Sequence, residues 1–430
     1  MNALRRGLCP GIAAPMQTGD GLLARLTPSA AIPIDAFIAL CEASERNGNG
    51  IVEITQRGSI QFRGLTPSSA SDFARSVTLW GLGDENKPSL LQAPLLGIDA
   101  TADLMPSIAE LRLALSNLPY LDSLGPKVSN LLDGEGALHL DAIPADIRLR
   151  WASADDVYVA IGGNAHDAMA LGWIRTNQVI AIVDELLSLI AQAGRDARAK
   201  HLVDGLHVDE LRTRLDCRAA PLLRPVAEPI GAHRLKSGQF ALGIAPAFGH
   251  ASSTALRLVA HAAADLGVSH IQPAPGRALL FLELDTKAAH DLAAIAAAEN
   301  FIVTADDPRR HVFACAGSPA CNSAAFSTRD LAPAVAIAAR EWLDASTTIH
   351  LSGCTKGCAH PAAATLTLAG AGRLTIDGRA GDEAHATLPS TELIDGLQRL
   401  SATLVSEGSS ISTLGAARVI ECLTGSILHA

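Results

Sequence analysis

Hydrophobic and polar positions along the chain switch between two periods. Residues 21–26 and 50–62 read as strands, the latter as a pair joined around Arg57-Gly58, and residues 33–48 carry apolar side chains at helical spacing. A period of two indicates strands, and a period near 3.6 indicates helices. Runs of both kinds follow one another along the chain, so the pattern predicts a mixed α/β protein.

The same order of elements returns in the second half of the chain. Residues 240–244 read as a strand, 252–267 as a helix, and 268–284 as a strand pair bent at 273–276. We interpret this recurrence as an internal duplication in which Glu53 and His270 hold equivalent places.

A longer block follows each copy, and a stretch rich in Pro, Arg and Gly lies between the copies and reads as a linker. The predicted segments are a first half-domain at 1–85, a first large domain at 86–216, a linker at 217–238, a second half-domain at 239–300 and a cysteine-bearing domain at 301–430.

Composition narrows the possible function classes. The chain has 430 residues, of which 48% are hydrophobic, so it can fill several cores. A net charge of -10 without a basic stripe argues against nucleic-acid binding. No apolar run is long enough to span a bilayer, the N-terminus lacks the pattern of a secretory leader, and eight cysteines are too dilute for a disulfide scaffold. We therefore expect a cytoplasmic location.

Four cysteines near the C-terminus fall into two close pairs. Cys315 and Cys321 form a C-x5-C motif, Cys354 and Cys358 form C-x3-C, and 32 residues separate the pairs. Two loops that each supply two thiolates can hold one iron–sulfur cube. A structural zinc site and a disulfide framework are the alternatives, although the five-residue gap is longer than zinc knuckles usually have.

The order of motifs resembles that of the nitrite and sulfite reductase superfamily over nearly the whole chain. It combines a strand with an arginine, a Thr-x-Arg-x-x-x-Gln strand, a Pro-Lys loop, a duplicated half and the two cysteine pairs. Within that superfamily the chain is similar to the precorrin-3B synthase family. The residues that carry this narrower resemblance are Arg6-Gly-Leu-Cys-Pro-Gly, Pro15-Met-Gln-Thr-Gly-Asp-Gly-Leu-Leu-Ala-Arg25, Ile54-Thr-Gln-Arg-Gly-Ser-Ile-Gln61 and Ser352-Gly-Cys-Thr-Lys-Gly-Cys-Ala-His-Pro361.

The resemblance implies a fold and an activity. The fold is a pseudo-twofold α+β protein with ferredoxin-like half-domains and an iron–sulfur domain, whose cleft places a reduced tetrapyrrole against a [4Fe–4S] cluster on the four cysteines. The activity is an oxygen-dependent monooxygenation of precorrin-3A to precorrin-3B, with C20 hydroxylation and γ-lactone formation, in aerobic cobalamin biosynthesis. A sirohaem-dependent nitrite or sulfite reductase is the alternative, and a non-catalytic iron–sulfur electron carrier is a further one.

The resemblance also implies site residues. Arg25 and Arg57 match positions that face the macrocycle, and guanidinium groups suit its acetate and propionate arms. Lys127 matches a substrate-facing lysine, and these three are the candidate catalytic and substrate-binding residues. Arg277, at the corresponding place in the second half, is a further candidate for substrate binding. Ser129 stands where the reductases have a second lysine, which counts against sulfite reduction.

Electrons are expected to come from NADH through a separate reductase or carrier, because no dinucleotide-binding glycine-rich loop follows a strand. The resemblance further implies a mononuclear non-haem iron, but the 14 histidines show no compact ligand motif. His360 is the histidine nearest in sequence to the cluster cysteines. Among the other cysteines, Cys9 belongs to the family signature, and we expect three to be small buried hydrophobes: Cys41, Cys217 and Cys422.

Overall fold

The computed structural model describes residues 10–82, 89–100, 108–202 and 206–425. The start of the first motif, from Arg6 through Cys9, lies outside the described residues. None of the helices in the described ranges is both long and apolar enough to cross a membrane.

Strands and helices alternate along the described chain, as the pattern of the sequence predicted. The strands, in chain order, are β1 Met16–Thr18, β2 Gly21–Leu26, β3 Ile32–Pro33, β4 Ile51–Ile54, β5 Ile60–Leu65, β6 Ser89–Gln92, β7 Ser129–Asp133, β8 Ala145–Trp151, β9 Asp156–Gly163, β10 Met169–Arg175, β11 Gly231–Arg234, β12 Phe240–Pro246, β13 His250–Ser252, β14 His270–Ala274, β15 Ala278–Leu284, β16 Phe301–Ile302, β17 Val312–Ala314, β18 Ile349–Ser352, β19 Ala364–Ala369, β20 Arg373–Gly378 and β21 Ala386–Thr387. The α-helices are α1 Ile34–Asn47, α2 Ser69–Leu79, α3 Ile108–Ser116, α4 Val179–Gln192, α5 Leu206–Arg214, α6 Ser253–Asp265, α7 Thr286–Ala298, α8 Thr328–Ala338, α9 Leu393–Glu407, α10 Ile411–Leu414 and α11 Ala416–Thr424.

The described residues form four sheets, of which two belong to the duplicated half-domains, and each of these two contains a strand from the other half. The first sheet has the order β1-β2-β5-β4-β13, and its last strand comes from the second half of the chain. The other has the order β11-β12-β15-β14-β3, and its last strand comes from the first half. This reciprocal exchange confirms the predicted pseudo-twofold duplication.

The two half-domains share one hydrophobic core. The helices α1 and α6 pack against each other, and fully buried side chains from both halves meet between the sheets, among them Phe37, Phe62, Leu256 and Phe281. Burying one such side chain contributes about 1.5–3 kcal/mol. The two halves therefore depend on each other for stability.

The register of the central strands shows which residues of the two halves correspond. Val52 on β4 lies opposite Phe62 on β5, and Ile271 on β14 lies opposite Phe281 on β15. A register shift interrupts the pairing of β2 with β5 and of β12 with β15 at the matching point. The two sheets therefore have the same backbone plan.

This register corrects one equivalence expected from the sequence. The counterpart of Glu53 is Gln272, because each residue comes directly after the matched pair. The predicted match of Glu53 with His270 is wrong by two residues. It arose from aligning Gly50 with Gly267, which do not occupy corresponding places in the sheets.

The other two sheets also repeat one plan. The orders are β6-β7-β8-β9-β10 and β17-β18-β19-β20-β21. In each, the first three strands run parallel and the last two are antiparallel additions. The carboxyl ends of parallel strands meet at one edge, so the loops after the first two strands of each sheet lie side by side.

The segment predicted as a linker, 217–238, contains β11, which pairs with β12 in the second half-domain sheet. The part before β11 runs without regular secondary structure along the first large sheet. There Arg150 donates to the carbonyl of Leu222, and the imidazole of His139 lies 2.7 Å from the carbonyl of Pro225. This part of the connection is therefore fixed to the first large sheet.

Candidate functional site: two cysteine loops beside a polar strand row

The two cysteine pairs lie on adjacent loops at one sheet edge. Parallel strands β17 and β18 end at Ala314 and Ser352, and the loops that follow carry Cys315 and Cys354. The backbone N–H of Cys315 donates to the carbonyl of Leu351 at 3.2 Å. The helix between the loops, α8, begins three residues earlier than the predicted span of 331–345, since Ser327 caps it by accepting from the N–H of Asp330. It ends seven residues earlier than that span.

The four thiols converge on one another. Burial raises the pKa of the Cys358 thiol, and the nearby thiols of Cys354, Cys315 and Cys321 raise it further. Within the described ranges, no three of these sulfur atoms lie within 4.8 Å of one another. Four thiolates on one zinc ion would be about 3.8 Å apart, given Zn–S bonds of roughly 2.3 Å. The thiols are therefore not gathered at the spacing of a single zinc site.

The backbone around Cys315 is built to approach sulfur closely. The N–H of Gly353 donates to Cys315 Sγ at 3.2 Å, and the hydroxyl of Thr328 donates to the Cys315 carbonyl at 2.6 Å. A Cβ at position 353 would lie 2.5 Å from the Cβ of Ala324. Only glycine therefore fits there, and its N–H can stabilise negative charge on a ligating sulfur.

Arg277 reaches the second cysteine loop from the second half-domain. Its Nη2 donates to the carbonyl of Ala359 at 2.8 Å, and its guanidinium lies 5.0 Å from the ring centre of Phe313. Burial lowers the pKa of Arg277 to about 10. The cation is thus held directly beside the loop that carries Cys358.

Arg277 does not occupy the place that corresponds to Arg57. By register Arg57 matches Gly276, and Arg277 matches Gly58. Gly58 and Arg277 both have positive φ, +80° and +64°. The two turns touch, since the N–H of Gly276 donates to the carbonyl of Gln56 at 3.1 Å.

A histidine without hydrogen-bond partners lies close to this loop. His350 on β18 is fully buried, and neither of its ring nitrogens has a partner among the described residues. Burial lowers its pKa to about 4, with smaller contributions from His360 and Arg277. His360 stacks on Phe313 with 4.3 Å between ring centres, and its Nε2 lies 3.2 Å from the carbonyl of Ala363. A packing and loop-fixing role therefore accounts for His360.

Arg25 belongs to a row of polar residues that runs straight across the first half-domain sheet. Arg25 lies opposite Gln61, Gln61 opposite Glu53, and Glu53 opposite His250 of the second half. Residues directly opposite on adjacent strands share one face. The neighbouring groups assign the orientation of the Gln61 amide. In that orientation its oxygen accepts from Arg25 Nε and Nη2 at 2.9 and 2.6 Å, and its N–H donates to Glu53 Oε2 at 2.7 Å.

Two further arginines connect this row to the cysteine loops. Arg63 is buried, pairs with Asp20 at 2.8 Å and donates to the carbonyl of Ala320 at 2.9 Å. Arg329, at the start of α8, pairs with Glu53. Sequence reasoning missed Arg63, Arg329 and Asp20. The alternation of Gln61 and Arg63 on an otherwise apolar strand was the signal that could have revealed Arg63.

Arg57 and Lys127 lie toward the first large sheet. The Arg57 guanidinium donates to the carbonyl of Pro144 at 2.5 Å. Lys127 is exposed on the turn before β7. Ser129 is buried, and its backbone N–H donates to Asp146 Oδ2 at 3.0 Å.

The loop after β7 corresponds to the second cysteine loop but holds carboxylates. Asp133, His139 and Asp141 place one possible ligand atom each within 4.8 Å of one another, which in the described parts of the chain is the one such group. Arg224 lies among them, 2.6 Å from an oxygen of Asp133 and 2.5 Å from one of Asp141. Burial would raise the pKa of Asp141, but Arg224 outweighs it and lowers that pKa. A protein cation therefore already occupies the space between the carboxylates, and this group does not fit a metal ion.

The remaining described cysteines differ from one another. Cys41 and Cys422 are buried, as predicted, whereas Cys217 is exposed. The expectation of a buried Cys217 is wrong because the chain leaves α5 there and enters the irregular connection to the second half.

Comparison with known proteins identifies the group to which the chain belongs. It is 36% identical over 97% of its length to a protein from Sinorhizobium sp. named precorrin-3B synthase, of which the match covers 94%. The chain belongs to the precorrin-3B synthase family. It is also 26% identical over 82% of its length to sulfite reductase [ferredoxin] 2 of Mycolicibacterium paratuberculosis, of which 69% is covered. No protein-family model matches the chain.

The fold agrees with a solved structure. The NirA protein of Mycobacterium tuberculosis superposes with a TM-score of 0.70 over 91% of this chain and 83% of that one, at 20% identity. The predicted α+β nitrite and sulfite reductase fold is thus confirmed. Family membership and the sulfite reductase relatives also confirm the predicted class of enzyme, an oxidoreductase, and these relatives support binding of an iron–sulfur cluster.

Proposed function

We propose that the chain is an oxygen-dependent monooxygenase that converts precorrin-3A into precorrin-3B, with hydroxylation at C20 and formation of a γ-lactone, in aerobic cobalamin biosynthesis. The observation that carries this proposal is the 36% identity, over nearly the full length of both chains, to a protein named precorrin-3B synthase. The sulfite reductase relatives are more distant, at 26% identity or less.

The cofactor in this proposal is one [4Fe–4S] cluster on Cys315, Cys321, Cys354 and Cys358. It would supply electrons one at a time to the reaction. Convergence of the four thiols and the N–H of Gly353 directed at Cys315 Sγ support this assignment. The chain's own part is to hold the cluster against the cleft and to stabilise negative charge on its sulfurs.

The substrate would be gripped through its acetate and propionate arms. Arg25 and Arg57 are the proposed guanidinium contacts, because planar forks bind carboxylates in bidentate fashion. Lys127 is proposed as a further cation at the rim, where it is exposed. Arg277 lies against the second cysteine loop, so we propose that it faces the side of the macrocycle next to the cluster.

One feature counts against the reductase alternative. A second lysine at position 129 would add positive charge for a small oxyanion, but the residue there is a buried serine bonded to Asp146. Asp146 in turn pairs with Arg198 at 2.8 Å, so the nearest cation at this point is already paired with a carboxylate. The site is better suited to a large ligand with dispersed carboxylates than to sulfite.

Oxygen is the proposed co-substrate, and electrons would come from NADH through a separate reductase or carrier. For the mononuclear non-haem iron that the resemblance implied, the described residues offer one group with ligand-like spacing, and that group does not fit it. The guanidinium of Arg224 already occupies the Asp133, His139 and Asp141 group, and no step of the mechanism is assigned to such an iron.

Anaerobically purified protein tests the proposal. We expect roughly four irons and four acid-labile sulfides per chain, as one cube requires, without sirohaem absorption. Incubation with precorrin-3A, a reducing system and isotopically labelled O2 should give a product that contains one labelled oxygen from O2 in its new hydroxyl. A sirohaem band that survives denaturing extraction, together with sulfite or nitrite turnover, would establish the reductase instead. Arg57→Ala should weaken tetrapyrrole binding while leaving the iron content unchanged.

A further inference from the structure

Glu53 lies in a row of residues whose polarity differs between the two half-domains. In the first sheet the row reads Arg25, Gln61, Glu53 across β2, β5 and β4. The matching row in the second sheet is Gly243, Leu280 and Gln272. The backbone is the same, so the polar row of the first half is not needed to build the sheet.

The Glu53 carboxylate has a partner on each oxygen. Its Oε2 accepts from the amide of Gln61 at 2.7 Å. Its Oε1 pairs with Arg329 and lies 3.5 Å from Arg63 Nη1. The Glu53 side chain is only 16% exposed, so these contacts are shielded from bulk water and are stronger than surface pairs.

The Glu53 carboxylate, which only accepts, and the Arg25 guanidinium, which only donates, together leave the Gln61 amide one orientation. Because the amide N–H donates to Glu53, the amide oxygen is turned toward Arg25 and accepts from both Nε and Nη2. If a side chain with an N–H donor replaced the carboxylate at position 53 and directed that donor at Gln61, the amide could no longer satisfy both neighbours in this orientation. The orientation of Arg25 is thus set indirectly by Glu53.

The same carboxylate is connected to both ends of the first cysteine loop. Arg63 donates to the carbonyl of Ala320, the residue before Cys321. Arg329 follows Thr328, whose hydroxyl donates to the carbonyl of Cys315. Three guanidinium groups and two carboxylates, counting Asp20, make up this group, and a third carboxylate, Asp330, lies near Arg329.

We propose that Glu53 is a positioning residue, which orients Arg25 toward a carboxylate arm of the substrate and holds it at a fixed place relative to the Cys315–Cys321 loop. This inference rests on the proposed function for the identity of the ligand. Both carboxylate oxygens of Glu53 contact protein groups. Glu53 acts through Gln61 on one side and through Arg329 and Arg63 on the other.

The first test needs no ligand. Crystal structures of the cluster-containing wild type and of Glu53→Gln are compared. A glutamine of the same size either directs its N–H groups at the two arginines or turns its oxygen toward them and away from Gln61. We expect the second arrangement, in which the Gln61 amide and the Arg25 guanidinium change orientation while Arg57 stays in place. An unmoved Arg25 overturns the inference, whether or not the protein binds a tetrapyrrole.

The second test measures binding of sirohydrochlorin, a metal-free reduced tetrapyrrole with acetate and propionate arms, by absorption. We expect Glu53→Gln to raise Kd about tenfold, the cost of one charge-assisted contact. In an Arg25→Ala background the same change should have almost no further effect, and in turnover KM should rise with kcat nearly constant. Equal weakening in both backgrounds would mean that Glu53 does not act through Arg25, and would overturn the inference.

Glu45→Gln is the matched control, because Glu45 also pairs with an arginine, Arg257, at 3.4 Å, but on the helices α1 and α6. It should leave Kd and the position of Arg25 unchanged. A wild type that binds no sirohydrochlorin would count against the proposed function, and the ligand-free structures would still decide the role of Glu53.

Discussion

The loop after β18 and the loop after β7 have the same length and different chemistry. In both large sheets the second and third strands pair residues 17 positions apart, as in Ile349 with Leu366 and Asn130 with Ile147. This register places Glu135 and His139 where the other loop has Cys354 and Cys358. The loop after β18 carries thiols. The loop after β7 carries polar groups that surround the guanidinium of Arg224.

The difference shows how a duplicated fold can specialise. The hydrogen bonds of the sheets use backbone atoms, so the loops at the sheet edge can change their side chains without loss of the fold. In the second large sheet the loop carries two of the four cysteines that we propose bind an iron–sulfur cluster. In the first large sheet the corresponding loop is held by a residue of the protein itself, because Arg224 brings a cation to Asp133 and Asp141. The four predictions below test this contrast.

The largest effect is expected at the cysteine loop. Cys358→Ser should reduce iron and sulfide from about four per chain to a small fraction, because a cube needs four ligands to persist, and should abolish turnover. Metal and acid-labile sulfide analysis measures this. Cys217→Ser, at an exposed thiol outside the loops, should retain the full content. Normal iron in Cys358→Ser would remove that residue from the ligand set.

The matching change in the other loop should affect stability and not the cluster. Arg224→Ala leaves the buried carboxylates of Asp133 and Asp141 without their partner, which we expect to cost about 3–5 kcal/mol of unfolding free energy. Urea denaturation gives the value, and iron content should stay unchanged. Arg218→Ala, where the arginine is half exposed, should cost under about 1 kcal/mol. Similar losses of unfolding free energy in the two variants would contradict the interpretation that Arg224 stabilises the loop as a buried cation.

The third prediction concerns His350, whose counterpart in the first large sheet is Leu131. The pKa of His350 is lowered to about 4 from an ordinary value of 6.5 by burial. The unfolded chain therefore binds more protons between these values, so stability is complete above pH 6.5 and falls as the pH drops toward 4. The loss attributable to this residue is roughly 3 kcal/mol.

His350→Leu should remove that part of the pH dependence, since leucine has no proton to bind. Urea midpoints measured between pH 4 and pH 7 test it, with His290→Leu, at an exposed helix position, as the control. An unchanged slope in His350→Leu would show that His350 is not protonated on unfolding in this range.

The smallest effect is expected from the contact between Arg277 and the second cysteine loop. Arg277→Met removes the hydrogen bond to the carbonyl of Ala359 and the stacking over Phe313, at a cost of about 1–2 kcal/mol. Thermal unfolding of the iron-loaded protein measures this. Arg340→Met, at an exposed site after α8, should be neutral. A neutral Arg277→Met would mean that the loop is held by its cysteines alone.

The periodic elements were predictable because they depend on neighbours in sequence. The strand at 21–26 and the helices at 33–48 and 252–267 correspond closely to β2, α1 and α6. The duplication followed from the repeated order of these elements. Its exact register did not, since a shared glycine suggested a match that the strand pairing shifts by two residues.

Contacts between distant parts of the chain could not be predicted in this way. Arg63 meets Ala320 across 257 residues, and Arg329 meets Glu53 across 276. Arg224 was predicted to belong to a linker, yet its guanidinium pairs with Asp133 and Asp141 at the loop after β7. No local pattern marks which arginine will pair with which buried carboxylate, because the pairing is decided by the packing of whole sheets.

The sequence by itself determined the alternation of strands and helices, the duplication and the spacing of the four cysteines, because these properties are written in residues near one another. Tertiary structure alone decided that the cysteine loops lie side by side, that Glu53 connects Arg25 to them, and that the matching loop is closed by Arg224. These arrangements require strands far apart in sequence to pair in one register, and only the folded core fixes that register.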